Sequence, residues 1–155
     1  MLFRSQHDAL KVQIFLPEPV DVATFAGVRL NEVVLHGWDV RVAADPAAGL
    51  LDSSASTLAE QYAESLAFLL GFIGKPAAAP EPAVVAVAGT PYSIVLDDRV
   101  RFTPDAPAAT ATFTGPLEAA LRLMSGRLGP RFTPSGVAVS GNVSLDDLRA
   151  VFPGY

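Results

Sequence analysis

The chain has 155 residues, half of them hydrophobic, a net charge of -5 at pH 7 and no cysteine. That length allows one domain of ordinary size or two small ones, with apolar residues enough for a true core. Eleven scattered Lys and Arg against sixteen Asp and Glu exclude the basic footprint of a nucleic-acid binder, and the lack of cysteine excludes a disulfide framework, a thiolate zinc site and a cysteine nucleophile of the chain's own.

No run reaches the roughly 18 consecutive apolar residues of a membrane span, and the opening MLFRSQHD lacks the apolar core of a signal peptide. A soluble, cytoplasmic protein without membrane or nucleic-acid partners is the expectation. Residues 12–21, VQIFLPEPVD, read as a short strand entering a proline turn. Residues 22–44 read as a helix, with Asp21 placed as N-cap and Asp45-Pro46 as the stop. A second helix is predicted over 55–73, introduced by the serines of LDSSAS and closed by Gly74 with Pro76 beyond it. Its inward stripe is Leu58, Tyr62, Leu66, Leu69 and Ile73.

Residues 75–83, KPAAAPEPA, have the proline-rich composition of a semi-rigid linker. Beyond them the hydrophobic period shifts toward two in AVVAVAG, YSIVL, RVRFT and ATATF, which predicts a small antiparallel sheet with a hairpin turn at Asp97-Asp98. In PLEAALRLMSG, Pro116 sits at the first helical position and Glu118 in the first turn. GVAVSG reads as another strand, and SLDDLRAVF as a last helix capped by Ser144. The predicted fold class is therefore α+β: two helices (1–74), which the resemblance described below makes the remnant of a helical bundle, a linker (75–83) and a small α+β domain with a mainly antiparallel sheet (84–155).

One helix carries chemistry. At about 100° per residue, Phe25, Arg29, Glu32, His36, Asp39 and Ala43 fall in one sector of the 22–44 helix, while most of the remaining surface is apolar. Two readings of that stripe stay open. In one, Glu32 pairs with Arg29 and His36 with Asp39 as ordinary neighbours three apart. In the other, Glu32 and His36 present an oxygen and an imidazole nitrogen one turn apart, as two ligands of a divalent metal.

RLNEVVLHGWDVRVAADPAAGL and the C-terminal run from TFTGPLEAALRLMSGRL through GVAVSGNVSLDDLRAVFPGY resemble the mycothiol-dependent maleylpyruvate isomerase family. Its members join a DinB-like helical metal domain to a smaller domain related to sterol-carrier proteins. The resemblance implies that Glu32 and His36 bind a metal, usually zinc, with a third ligand histidine from an earlier helix. No segment here resembles that helix, and the other histidine, His7, lies in the irregular opening; an incomplete form of the site is expected. With a complete site, the resemblance implies a metal-bound mycothiol thiolate attacking an electrophilic substrate, as isomerase or thiol transferase.

Arg127, at the end of LMSGRL, is a candidate for a substrate carboxylate, or simply a cation at a helix C-terminus. Asp39 and Arg29 are candidates to orient the ligand pair, and Trp38 reads as core. A reading from another class also stands, a non-catalytic module binding a small apolar ligand or a partner. Loss of the front helices would bare Val34, Leu35, Trp38 and Val42, so self-association through that face is expected.

Overall fold

In the computed structural model, residues 10–154 are described; His7 lies outside them. A two-stranded ribbon, β1 (Lys11–Val12) with β2 (Val20–Asp21), leads directly into α1 (Val22–Ala44). The bounds of α1 follow from local chemistry. The Asp21 carboxylate accepts the Thr24 N–H at 2.7 Å, and the chain leaves the helix at Asp45 ahead of Pro46.

The predicted second helix is two helices, α2 (Asp52–Ala63) and α3 (Ala67–Ile73). Glu64, at φ -124° and ψ -101°, leaves helical geometry, and the Leu66 N–H reaches back to the Gln61 carbonyl at 2.8 Å. The break changes the phase of the inward face. Leu58, Tyr62 and Leu66 are buried as expected, but in α3 the buried position is Leu70 rather than Leu69. Of the residues predicted as linker, Pro76–Ala78 form a 3-10 turn and Ala83 begins a strand.

That strand, β3 (Ala83–Val87), pairs antiparallel with β4 (Ser93–Leu96), which pairs antiparallel with β5 (Val100–Thr103). On its other side β3 pairs with β6 (Ala111–Thr114) in parallel, and β6 pairs antiparallel with β7 (Ala138–Gly141). The sheet, in the order β5-β4-β3-β6-β7, is mixed where an antiparallel one was expected. The register explains its burial. Val85 opposes Ile94 and Ala111, and Ile94 opposes Phe102, so all four point to one face, where they are buried. The opposite face carries Val84, Arg101 and Thr112, which are only partly covered. At the predicted hairpin turn the Asp97 carboxylate accepts from the Arg99 N–H at 3.3 Å and pairs with Arg101.

Helix α4 (Leu117–Met124) starts just after Pro116 rather than on it, and α5 (Leu145–Val151) is capped by a reciprocal Ser144–Asp147 pair. Helices α2 and α3 lie against β5, and α2 lies against α4. One apolar cluster runs from Leu35 and Trp38 on α1, through Leu58, to Phe113 and Leu148. Among the described residues no helix is long and apolar enough to cross a membrane.

The face of α1 expected to lie bare is covered. Leu35, Trp38 and Val42 are buried, and Val34 is partly so. The reason is a polar knot beneath Trp38. Arg122 on α4 donates through Nε and Nη2 to both carboxylate oxygens of Glu118, at 2.7 and 2.9 Å, and through Nη1 to the Phe132 carbonyl at 2.8 Å. Its guanidinium lies 5.2 Å from the Trp38 ring, and the Phe132 ring meets Trp38 edge-on at 5.6 Å. The indole N–H donates to the Ala48 carbonyl at 2.7 Å. Self-association through this face is therefore excluded by its burial; Val33 and Val40, which point the other way, are the exposed valines of α1.

Candidate functional site

The sector of α1 singled out in the sequence forms one row of contacts. His36 Nε2 lies 3.2 Å from Glu32 Oε2, and His36 Nδ1 lies 2.9 Å from Asp39 Oδ2. Arg127 closes the row with a two-pronged grip on Asp39, Nε to Oδ1 and Nη2 to Oδ2, both at 2.8 Å. Phe25 and Ala43, in the same sector, bring no donor. Among the described residues no ion pair involves Arg29; Glu32 turns instead to His36 and to Asn31, whose Nδ2 donates to it at 3.4 Å.

Each member is placed by the fold. Glu32, His36 and Asp39 follow from helical spacing of four and three. Arg127 is brought in from 88 residues away by the end of α4. There Gly126 takes φ 72°, and a Cβ on it would fall 2.2 Å from the Gly154 Cα. That left-handed residue, open only to glycine here, turns the chain so that Arg127 points back at α1. The Arg127 Nη1 donates to the Ser125 carbonyl at 3.1 Å. The side chain is only 12 % exposed, while His36 is 57 % exposed.

The electrostatics follow from these contacts. The Arg127 hydrogen bonds hold the Asp39 carboxyl below the usual carboxylate range against the opposing effect of burial, with the His36 contact adding to them. Asp39 is thus a fixed anion at neutral pH that accepts from His36 Nδ1. A carboxylate can only accept, so the shorter of the two contacts places the single proton of a neutral ring on Nδ1. Nε2 of a neutral ring then presents a lone pair to the Glu32 oxygen. Two lone pairs at 3.2 Å repel unless a second proton or a cation lies between them.

That contact tests the fit of a metal directly. Nitrogen and oxygen ligands at roughly 2.0–2.2 Å from a tetrahedral ion stand about 3.3–3.6 Å apart, close to the Glu32–His36 separation of 3.2 Å. The Nδ1 contact with a carboxylate is the orientation seen behind metal-ligating histidines. The pair fits as two ligands; among the described residues no group of three or more His, Asp and Glu side chains is arranged to hold a metal ion.

Two hollows flank the row. At the Glu32 end lies a cleft of about 270 Å³, walled by Phe15, Val28, Leu69, Phe72 and Ile73, with Asn31, Glu32 and Tyr62 as its polar side. After the phase change in α3, Leu69 and Ile73 are partly buried against the core and also line this cleft. At the Arg127 end lies a second hollow of about 410 Å³, lined by Asp39, Ser125, Gly126, Arg127, Pro153 and Gly154. Sequence reading found the four groups of the row but missed both hollows and the Glu118–Arg122 knot beneath. Only the knot had a local signal, an acid and an arginine four apart on an otherwise apolar helix. Comparison of the chain with family models, with curated proteins and with solved structures found no match.

Proposed function

We propose that this chain binds a divalent cation, zinc by its donor chemistry, through Glu32 and His36, and that it serves transfer of a thiol to a small electrophile. This is the function implied by the resemblance to the mycothiol-dependent maleylpyruvate isomerase family. The observation that carries the reading is the His36 imidazole, which has its Nδ1 on Asp39 and its Nε2 3.2 Å from a carboxylate oxygen of Glu32. A cation bound there supplies the Lewis acidity that favours the thiolate form of a thiol near neutral pH.

The chain's own groups have distinct tasks in this reading. Glu32 and His36 chelate. Asp39 fixes the ring and its tautomer, and Arg127 fixes Asp39. The polar hollow at Arg127 suits a hydrophilic thiol such as mycothiol. The cleft at Glu32 suits the electrophile, and the described residues that line it include no cation. A neutral, apolar electrophile therefore fits this cleft better than maleylpyruvate with its two carboxylates, which favours thiol transferase over isomerase. The cleft also supports the second reading, a site for a small apolar ligand without catalysis.

The test is zinc content after loading and dialysis, together with conjugation of mycothiol to a neutral electrophile. Wild type is expected to retain zinc and to form the conjugate. Glu32→Ala and His36→Ala are expected to weaken zinc binding at least tenfold and to abolish conjugation, with little change in melting temperature because His36 is exposed and Glu32 partly so. Zinc retained equally in all three proteins would overturn the proposal. Zinc retention without conjugation would leave the second reading.

A further inference from the structure

One buried donor in the cleft at Glu32 is left short of a partner. Asn31 on α1 is 3 % exposed, yet it forms part of the wall of that cleft. Its orientation follows from its two neighbours. The Tyr62 hydroxyl donates to Asn31 Oδ1 at 2.6 Å, and Asn31 Nδ2 donates to Glu32 Oε1 at 3.4 Å. A carboxylate can only accept, so turning the amide over would set its oxygen against that of Glu32. The nitrogen side of the amide therefore lies with Glu32 on the polar wall. Nδ2 carries two N–H groups and makes this one long contact, so among the described residues one N–H has no acceptor. A buried donor in that state costs free energy, which an acceptor entering the cleft recovers.

We infer that the remaining Asn31 N–H is the recognition group of this cleft, and that the molecule it takes is a small neutral carbonyl compound with an apolar body. The inference rests on the reading of the cleft as the place of a small apolar molecule. The group left over is a donor, so the ligand brings an acceptor. That donor is an uncharged amide, the walls beside it are apolar, and no cation lies among the described residues of the lining. The acceptor is therefore a neutral oxygen rather than a carboxylate or a phosphate. A carbonyl oxygen, with two lone pairs in its plane, meets an amide N–H well. The other end of the ligand is set by Phe15 and Phe72, whose rings meet edge-on at 6.3 Å and are 66 % and 65 % exposed. Two rings left so open beside a buried donor suit an apolar or aromatic body. The cleft, at about 270 Å³, falls below the roughly 300–1,000 Å³ of sites for drug-sized molecules, so the ligand is small. Tyr62, by holding Oδ1, is the positioning residue that keeps the N–H turned to it.

Two probes of one shape test this on the full chain without zinc or thiol: benzylacetone, a ketone, and butylbenzene, which has a methylene in place of the carbonyl. Asn31→Leu combined with Tyr62→Phe removes the donor together with the hydroxyl that holds it, and leaves an apolar pair of similar size. From wild type to this variant the ketone is expected to lose about fivefold in affinity, the effect of one hydrogen bond, and butylbenzene to lose nothing. Infrared spectra of the ketone, isotope-labelled at the carbonyl, read the contact itself in the wild-type protein, with the band expected below its position in hexane. A carbonyl band at the hexane position, or an equal change in affinity for both probes, would overturn Asn31 as the donor and leave the cleft an apolar site. Binding of neither probe to wild type would overturn the cleft as a ligand site. Zinc takes no part in these measurements, so Glu32 and His36 as ligands are judged by zinc retention alone.

Discussion

Arg122→Ala is expected to lower stability by about 3–5 kcal/mol, the range for breaking a buried ion pair by removing one partner. The side chain is 1 % exposed and satisfies three acceptors at once: both oxygens of Glu118 and the Phe132 carbonyl. Its loss leaves a buried carboxylate whose remaining hydrogen bond comes from the Leu50 N–H at 3.1 Å. For a chain of this size the melting temperature should fall by roughly 10 °C or more. Replacing both partners with apolar residues, Glu118→Leu with Arg122→Met, should recover part of the loss. Recovery stays incomplete because the Leu50 N–H and the Phe132 carbonyl then lack partners, each costing about 1–3 kcal/mol. Thermal or urea unfolding checks all three proteins; an Arg122→Ala protein as stable as wild type would contradict the knot.

Trp38→Ala is expected to cost about 3–5 kcal/mol, as large-to-small changes of buried aromatics do. The indole is 3 % exposed, lies between Phe132 and Arg122, and donates to the Ala48 carbonyl. A helix bare on this side would lose almost nothing by the change, so unfolding of this single variant separates a buried face from an exposed one. Combined with Arg122→Ala, the two losses should fall short of additive by about 0.5–3 kcal/mol, since each removes part of the same contact.

What the sequence made legible was local. Asp21 and Asp45-Pro46 bound α1, the Ser144–Asp147 pair caps α5, and spacings of four and three set Glu32, His36 and Asp39 in one row. What stayed hidden depends on partners far along the chain. The break between α2 and α3 was masked by a continuous stripe, because Leu58, Tyr62 and Leu66 keep helical spacing up to the turn that shifts the phase to Leu70. The parallel pairing of β3 with β6 needs a crossover whose register no local pattern states. The covering of Trp38 comes from residues about ninety positions away, so an apolar face on α1 could be read as interior or as bare with equal right. The Arg127 grip on Asp39 was hidden for the same reason.

The proposed cation site depends on the environment of one imidazole, that of His36. Two-bond proton–nitrogen correlation spectra of the 15N-labelled chain, with the His36 signals assigned by His36→Ala, report its two nitrogens separately. The expected spectrum in chelator has Nδ1 protonated, as its contact with Asp39 requires. On addition of zinc, Nε2 should shift to the position of a metal-bound nitrogen while Nδ1 keeps its proton. A His36 spectrum unchanged at saturating zinc would contradict the account.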